Sequence, residues 1–98
     1  MEGWERQEVR LAKRLGGTRR PGSGAFWSAK GDVRSAGLLI EAKYTAKRQI
    51  TVTAAVLRKI ELEAVSESRM PVLAIEVAGR DYIVLSLDDF TELLDVPT

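Results

Sequence analysis

The chain has 98 residues, 45% hydrophobic and 30% charged, which is the size and apolar supply of one domain spanning 1–98. It contains no cysteine and no histidine, which excludes a disulfide framework, thiolate zinc sites, Ser-His-Asp and Cys-His catalysis, and histidine general bases. The net charge of +1 hides an asymmetry: residues 1–48 carry eleven Lys/Arg against five Asp/Glu, a net +6, and residues 49–98 carry four against nine, a net −5.

Residues 3–15 read as a helix, because Trp4, Leu11, Ala12 and Leu15 share one stripe at helical spacing. Gly16-Gly17 stops it, the usual C-terminal place for glycine. Glu8 sits in the middle of that apolar stripe, four residues after Trp4 and three before Leu11. Glu5 lies at its edge. A carboxylate there is partly exposed at the helix end, partnered by an arginine such as Arg10 or Arg14, or aimed at a site.

Thr18-Arg19-Arg20-Pro21-Gly22-Ser23-Gly24-Ala25 follows, and its Pro, Gly and Ser content makes it a loop. Glycine amides and a serine hydroxyl approach a phosphate closely, and arginines pair with it. It is not a Walker A loop, since the lysine and the spacing are missing.

Lys30–Arg34 and Leu38–Lys43 read as two strands joined near Ser35-Ala36-Gly37. With a two-residue Ala36-Gly37 loop, Ser35 faces Leu38 and the register sets Asp32 directly opposite Glu41. Lys43, two residues beyond Glu41, shares that face. A three-residue loop would break the register.

Residues 53–68 read as the second helix, capped by Thr53 or Thr51, with Val56, Leu57, Ile60, Ala64 and Val65 as its buried side. Met70-Pro71 is expected to end it. Val72–Val77 is a continuous apolar run and hence a central strand. Gly79-Arg80-Asp81 should turn the chain into a strand over Tyr82–Leu87, and Ser86 or Asp88 should cap a short last helix ending near Leu94. This order of elements predicts an α/β domain with a mixed central sheet flanked by helices. No apolar run approaches the length of a membrane span and no signal peptide is visible, so no membrane partner and a cytoplasmic location are expected.

Burying charge is costly unless it is paired or binds a metal. Asp32, Glu41 and Lys43 lie within a dozen residues of otherwise apolar strand. Two carboxylates beside a lysine suit divalent-metal-assisted cleavage of a phosphodiester. Without histidine or cysteine the metal ligands are oxygens and the metal is hard, magnesium with manganese as substitute. Asp32 and Glu41 are the candidate ligands, with the Ala42 carbonyl as another and Glu8 completing the shell from the first helix. Lys43 would position or deprotonate the attacking water, or stabilise charge on the phosphate. Lys30, Lys47, Arg48, Arg19 and Arg20 are the candidate contacts to backbone phosphates. The other reading of the cluster is a structural ion pair between Lys43 and one acid at a sheet edge.

Gly31-Asp32 followed by Glu41-Ala42-Lys43, in this order of elements, resembles the PD-(D/E)XK nuclease superfamily. Within it the chain is similar to the archaeal-type Holliday junction resolvases and their phage relatives. The resemblance covers about residues 4–77 and includes Glu8, the Arg20-Pro21-Gly22-Ser23-Gly24 loop and the Thr45-Ala46-Lys47-Arg48 tail. It implies a restriction-endonuclease-like core in a prokaryotic or phage-infected cell. It also implies a homodimeric, magnesium-dependent enzyme that makes paired nicks in a DNA four-way junction. The family's helix glutamate maps onto Glu8, with Glu5 as fallback, its metal acids onto Asp32 and Glu41, its lysine onto Lys43 and its loop serine onto Ser23. Glycine stands where the family has proline before Asp32, and the Asp32-to-Glu41 spacing is short. The same motifs fit another small nuclease of the superfamily with a nicking or repair role. A non-catalytic DNA-binding module of the same fold is the reading from a different class.

Overall fold

In the computed structural model the described residues are 3–19, 32–35 and 37–95, with only the strand positions of Arg19 and Asp32 among them. The first helix, α1 (Gly3–Leu15), has the expected bounds, and Gly16 leaves it at φ +67°. β1 (Thr18–Arg19) is a two-residue strand within the stretch expected to be loop. β2 (Asp32–Ser35) and β3 (Leu38–Tyr44) form the hairpin, and Gly37 turns it at φ +79°. Their register pairs Asp32 with Glu41, Val33 with Ile40, Arg34 with Leu39 and Ser35 with Leu38, as the two-residue loop requires.

α2 (Ala54–Ser66) is capped by Thr53, whose hydroxyl accepts from the Val56 amide at 3.2 Å. It ends before the expected boundary. Glu67 is the C-cap, Ser68 adopts φ 55°, and the Arg69 amide returns to the Ala64 carbonyl at 2.8 Å. Met70 and Pro71 therefore begin β4 (Met70–Val77) instead of ending the helix. Proline is poorly tolerated inside a sheet because it lacks a donor. Here β4 pairs with the next strand only from Leu73 onward, so Pro71 has one open side. β5 (Arg80–Val84) starts inside the segment expected to be turn, since Ala78 and Gly79 make the left-handed turn themselves at φ 52° and 77°. Ser86 caps α3 (Leu87–Leu93), accepting from the Asp89 amide at 3.0 Å.

The strands make one mixed sheet in the order β1-β2-β3-β4-β5, parallel at β3–β4 and antiparallel elsewhere. Among the described residues, this is the α/β arrangement expected from the element order. Leu11 of α1 joins Val33, Ile40, Ala42, Val72 and Ala74 in one buried cluster, so α1 covers the sheet face that carries the even positions of β3. Gly3 belongs to the same layer, and a side chain there would collide with the Tyr44 ring. Leu57 and Ile60 of α2 line one cavity with Pro71 and Leu73 on the other face. Because side chains alternate along a strand, Leu39, Glu41 and Lys43 point toward the α2 layer. The buried side of α2 is narrower than its stripe suggested. Ile60 and Ala64 are buried, whereas Val65 is 75% exposed. No helix among the described residues is long and apolar enough to cross a membrane.

Candidate active site

β3 carries the cluster because its alternation runs apolar on both faces until Glu41. Leu39, Ile40 and Ala42 are buried; Glu41 and Lys43 are half-buried. Asp32 is the cross-strand partner of Glu41. Lys43 lies one pleat further along the same face. Its Nζ is 3.3 Å from the Thr51 carbonyl, in the segment between β3 and α2. Partly exposed charge is tolerated at Glu41 and Lys43 because water still reaches it.

The main chain at Lys43 is held from the opposite layer. Gln7, fully buried on α1, donates from Nε2 to the Lys43 carbonyl at 2.8 Å and to the Ala74 carbonyl at 3.3 Å. One amide thus ties β3 to β4 at the level of the cluster. Sequence reasoning passed over Gln7, although its position three after Trp4 and four before Leu11 places it on the sheet-facing stripe. Glu8 is 1% exposed on that stripe, and Glu5 is half-buried. Glu8 therefore belongs to the α1 layer, while Glu41 and Lys43 project into the α2 layer. Ala42 lies in the buried cluster under α1.

The basic candidates divide. Lys47 and Arg48 are exposed just beyond β3, where the Lys47 amide bonds to the Thr45 hydroxyl at 3.1 Å. Arg19 occupies a β1 position paired with Val33. Arg20, Ser23 and Lys30 lie outside the described residues, as do the side chains of Arg19 and Asp32.

Other charges are committed to architecture. Arg10 reaches from α1 to the far strands, with Nε 2.7 Å from Asp81 Oδ2 and Nη2 2.7 Å from Glu76 Oε1. These two hydrogen bonds, Asp81 first and Glu76 second, raise its already high pKa further. Arg34 forks onto Glu67, with Nε 2.7 Å from Oε1, and so fixes the end of α2 against β2.

Among the described side chains, no group of three or more acidic residues gathers as a ready metal cage. What the sheet offers is a two-carboxylate register with oxygen donors only, and such donors suit a hard divalent cation. Comparison with known proteins finds no match to any family model, to any curated protein or to any solved structure.

Proposed function

We propose that the protein is a magnesium-dependent, structure-specific DNA endonuclease with a restriction-endonuclease-like core, whose substrate is a branched DNA such as a four-way junction. The carrying observation is the register that sets Asp32 opposite Glu41, with Lys43 one pleat along the same face. A bound magnesium or manganese ion would supply charge neutralisation on the phosphodiester and lower the pKa of the attacking water. Asp32 and Glu41 are the residues that hold it. Lys43 lines the same face, where its ammonium orients the water or meets negative charge growing on the phosphate oxygens. Gln7 fixes the Lys43 backbone from the opposite side of the sheet. The Ala42 carbonyl is the further oxygen donor in this reading, and Glu8, buried in the α1 layer on the opposite face of the sheet, is not one.

Charge placement supports nucleic acid as the partner. The elements that bear the cluster, α1 to β3 and the segment to Arg48, hold the net +6 half of the chain. Lys47 and Arg48 stand exposed beside it. A basic surface neutralises backbone phosphates without reading sequence, which suits recognition by DNA shape.

The test incubates the protein with magnesium on a synthetic four-way junction and on linear duplex of the same sequence. Paired nicks in the junction, absent from the duplex and lost on chelation of the metal, are the expected result. Equal cutting of both substrates would keep the nuclease and discard junction specificity. Tight binding with no cutting would discard the enzyme.

A further inference from the structure

The face that carries Glu41 and Lys43 continues across the sheet. Cross-strand partners share a face, so its rows can be followed through β4 to β5. Glu41 pairs with Leu73, and Leu73 with Val84. One pleat on, Lys43 pairs with Ile75, and Ile75 with Tyr82. One pleat further, Val77 pairs with Arg80. Tyr82 and Arg80 therefore stand on the same face as the cluster. Two strand spacings, about 10 Å in all, separate the Lys43 and Tyr82 backbones. Burial falls along these rows. Leu73 is 1% exposed and lines a cavity with Leu57 and Ile60 of α2. Ile75 and Val77 are half-buried, Arg80 is exposed, and Tyr82 is 46% exposed.

Charge is sorted between the two faces here. Asp81, between Arg80 and Tyr82 in β5, points to the α1 face with its partner Glu76, and Arg10 holds both. Lys59 and Arg69 of the same acidic half are engaged by Glu63 and Glu67. Arg80 makes no ion pair among the described residues. Its guanidinium lies 6.0 Å from the Tyr82 ring centroid, at the limit of a cation–π contact, so the ring is not committed to it. Lys47 and Arg48 follow β3 at the same end of the sheet at which Arg80 opens β5.

A half-exposed tyrosine beside an unengaged guanidinium supplies what a single strand of nucleic acid needs. The ring offers a flat surface to a base, and the cation meets the phosphate. Bases inside a duplex are already stacked on their neighbours and do not reach such a ring. We infer that Tyr82 and Arg80 form a subsite for one unpaired nucleotide of DNA, with the base on the Tyr82 ring and the phosphate at Arg80. The placement of this subsite beside a scissile bond rests on the nuclease reading above. On that reading, the branched DNA that suits this face carries an unpaired nucleotide at its branch.

Fluorescence anisotropy tests the subsite with a labelled oligothymidylate and a labelled duplex of equal length, both in chelator so that nothing is cut. Tyr82→Ala should weaken oligothymidylate binding at least about fivefold, the scale of one lost base–aromatic stack. It should leave duplex binding unchanged. Tyr82→Phe, which keeps the ring, should bind as the wild type does. Arg80→Ala should lower the log-log salt slope on the single strand by about 0.7, for one phosphate. Circular dichroism confirms that each variant folds. Failure of the wild type to bind oligothymidylate, unchanged affinity in Tyr82→Ala, or an equal loss on duplex would each overturn the proposal. In magnesium, a junction with one unpaired nucleotide at its branch should be cut faster than a fully paired one, and Tyr82→Ala should erase the difference. Equal wild-type rates on the two would overturn the placement beside the cut. A chain that passes the binding tests yet cuts no DNA would refute the nuclease reading and leave the subsite. One that cuts the junction but fails them would do the reverse.

Discussion

The two edges of the sheet handle charge in opposite ways. On the β2–β3 side, in the basic half, acids are brought into strand register and placed beside a lysine: Asp32 faces Glu41, and Lys43 follows. On the β4–β5 side, in the acidic half, the acids inside the strands are bound by an arginine from elsewhere, since Glu76 and Asp81 share Arg10. Asp88, Asp89 and Glu92 sit on α3 beside exposed leucines. The contrast teaches that a charge in a strand has two uses. Glu76 and Asp81 meet a fixed counter-charge, and that interaction holds α1 to the sheet. Asp32 and Glu41 are instead set opposite each other in the β2–β3 register, with Lys43 one pleat along.

The sharpest way to break this contrast is at its centre. Glu41→Gln and Asp32→Asn should each lower cleavage of a junction substrate by about 10²–10³-fold, the usual effect of removing one group aimed at developing charge. DNA binding by fluorescence anisotropy should persist. Cleavage at the wild-type rate in either variant would make the register structural. A second comparison concerns packing. Ile40→Ala, at a fully buried position, should cost about 2–5 kcal/mol in urea unfolding. Leu62→Ala, at 67% exposure in the acidic half, should stay within about 0.5 kcal/mol. Equal destabilisation by the two would mean that α2 has a covered outer face even in the isolated chain.

A smaller effect tests the basic side. Replacing Lys47 and Arg48 together with alanine should weaken junction and duplex binding alike. It should also flatten the salt dependence by about 0.9 in log-log slope for each phosphate that is no longer neutralised. An unchanged slope would place the DNA elsewhere. A modest effect is expected at the tie between the halves. Arg10→Met should lower stability by about 0.5–1 kcal/mol, as for other partly exposed ion pairs. Salt should narrow the gap between variant and wild type, because it screens such pairs. A gap that is indifferent to salt would assign Arg10 a packing role instead of an electrostatic one.

Much of the site's scaffold is legible locally. The hairpin register follows from a two-residue loop and the strand period of two, which leave Asp32 no other partner than Glu41. Thr53 and Ser86 can be read as caps because a hydroxyl three residues before an unsatisfied amide is a local device. The depth of Glu8 follows from its place between Trp4 and Leu11. Gln7 is equally legible, since it shares the sheet-facing stripe, but an uncharged amide attracts less notice than a carboxylate. Val65 illustrates the limit. Its helical spacing matches the buried stripe of α2, yet whether that flank is covered depends on distant elements, and it stands exposed. Pro71 is similar: it signals a break until it is known that β5 starts pairing only at Leu73.

By itself, then, the sequence determined the three helices and the runs that become β2 to β5, though not all their bounds, and it set the hairpin register once a two-residue loop is granted. These follow from backbone periodicity and turn length, which act over a few residues. Only the tertiary structure decided that Glu8 lies in the opposite layer from Glu41 and Lys43. It also decided that Gln7 holds the Lys43 carbonyl and that Arg10 is taken up by acids 66 and 71 residues away. It left β5 and α3 exposed at the far edge. Those outcomes depend on which elements stack on which face of the sheet, and burial and charge pairing settle that only when the whole chain is packed.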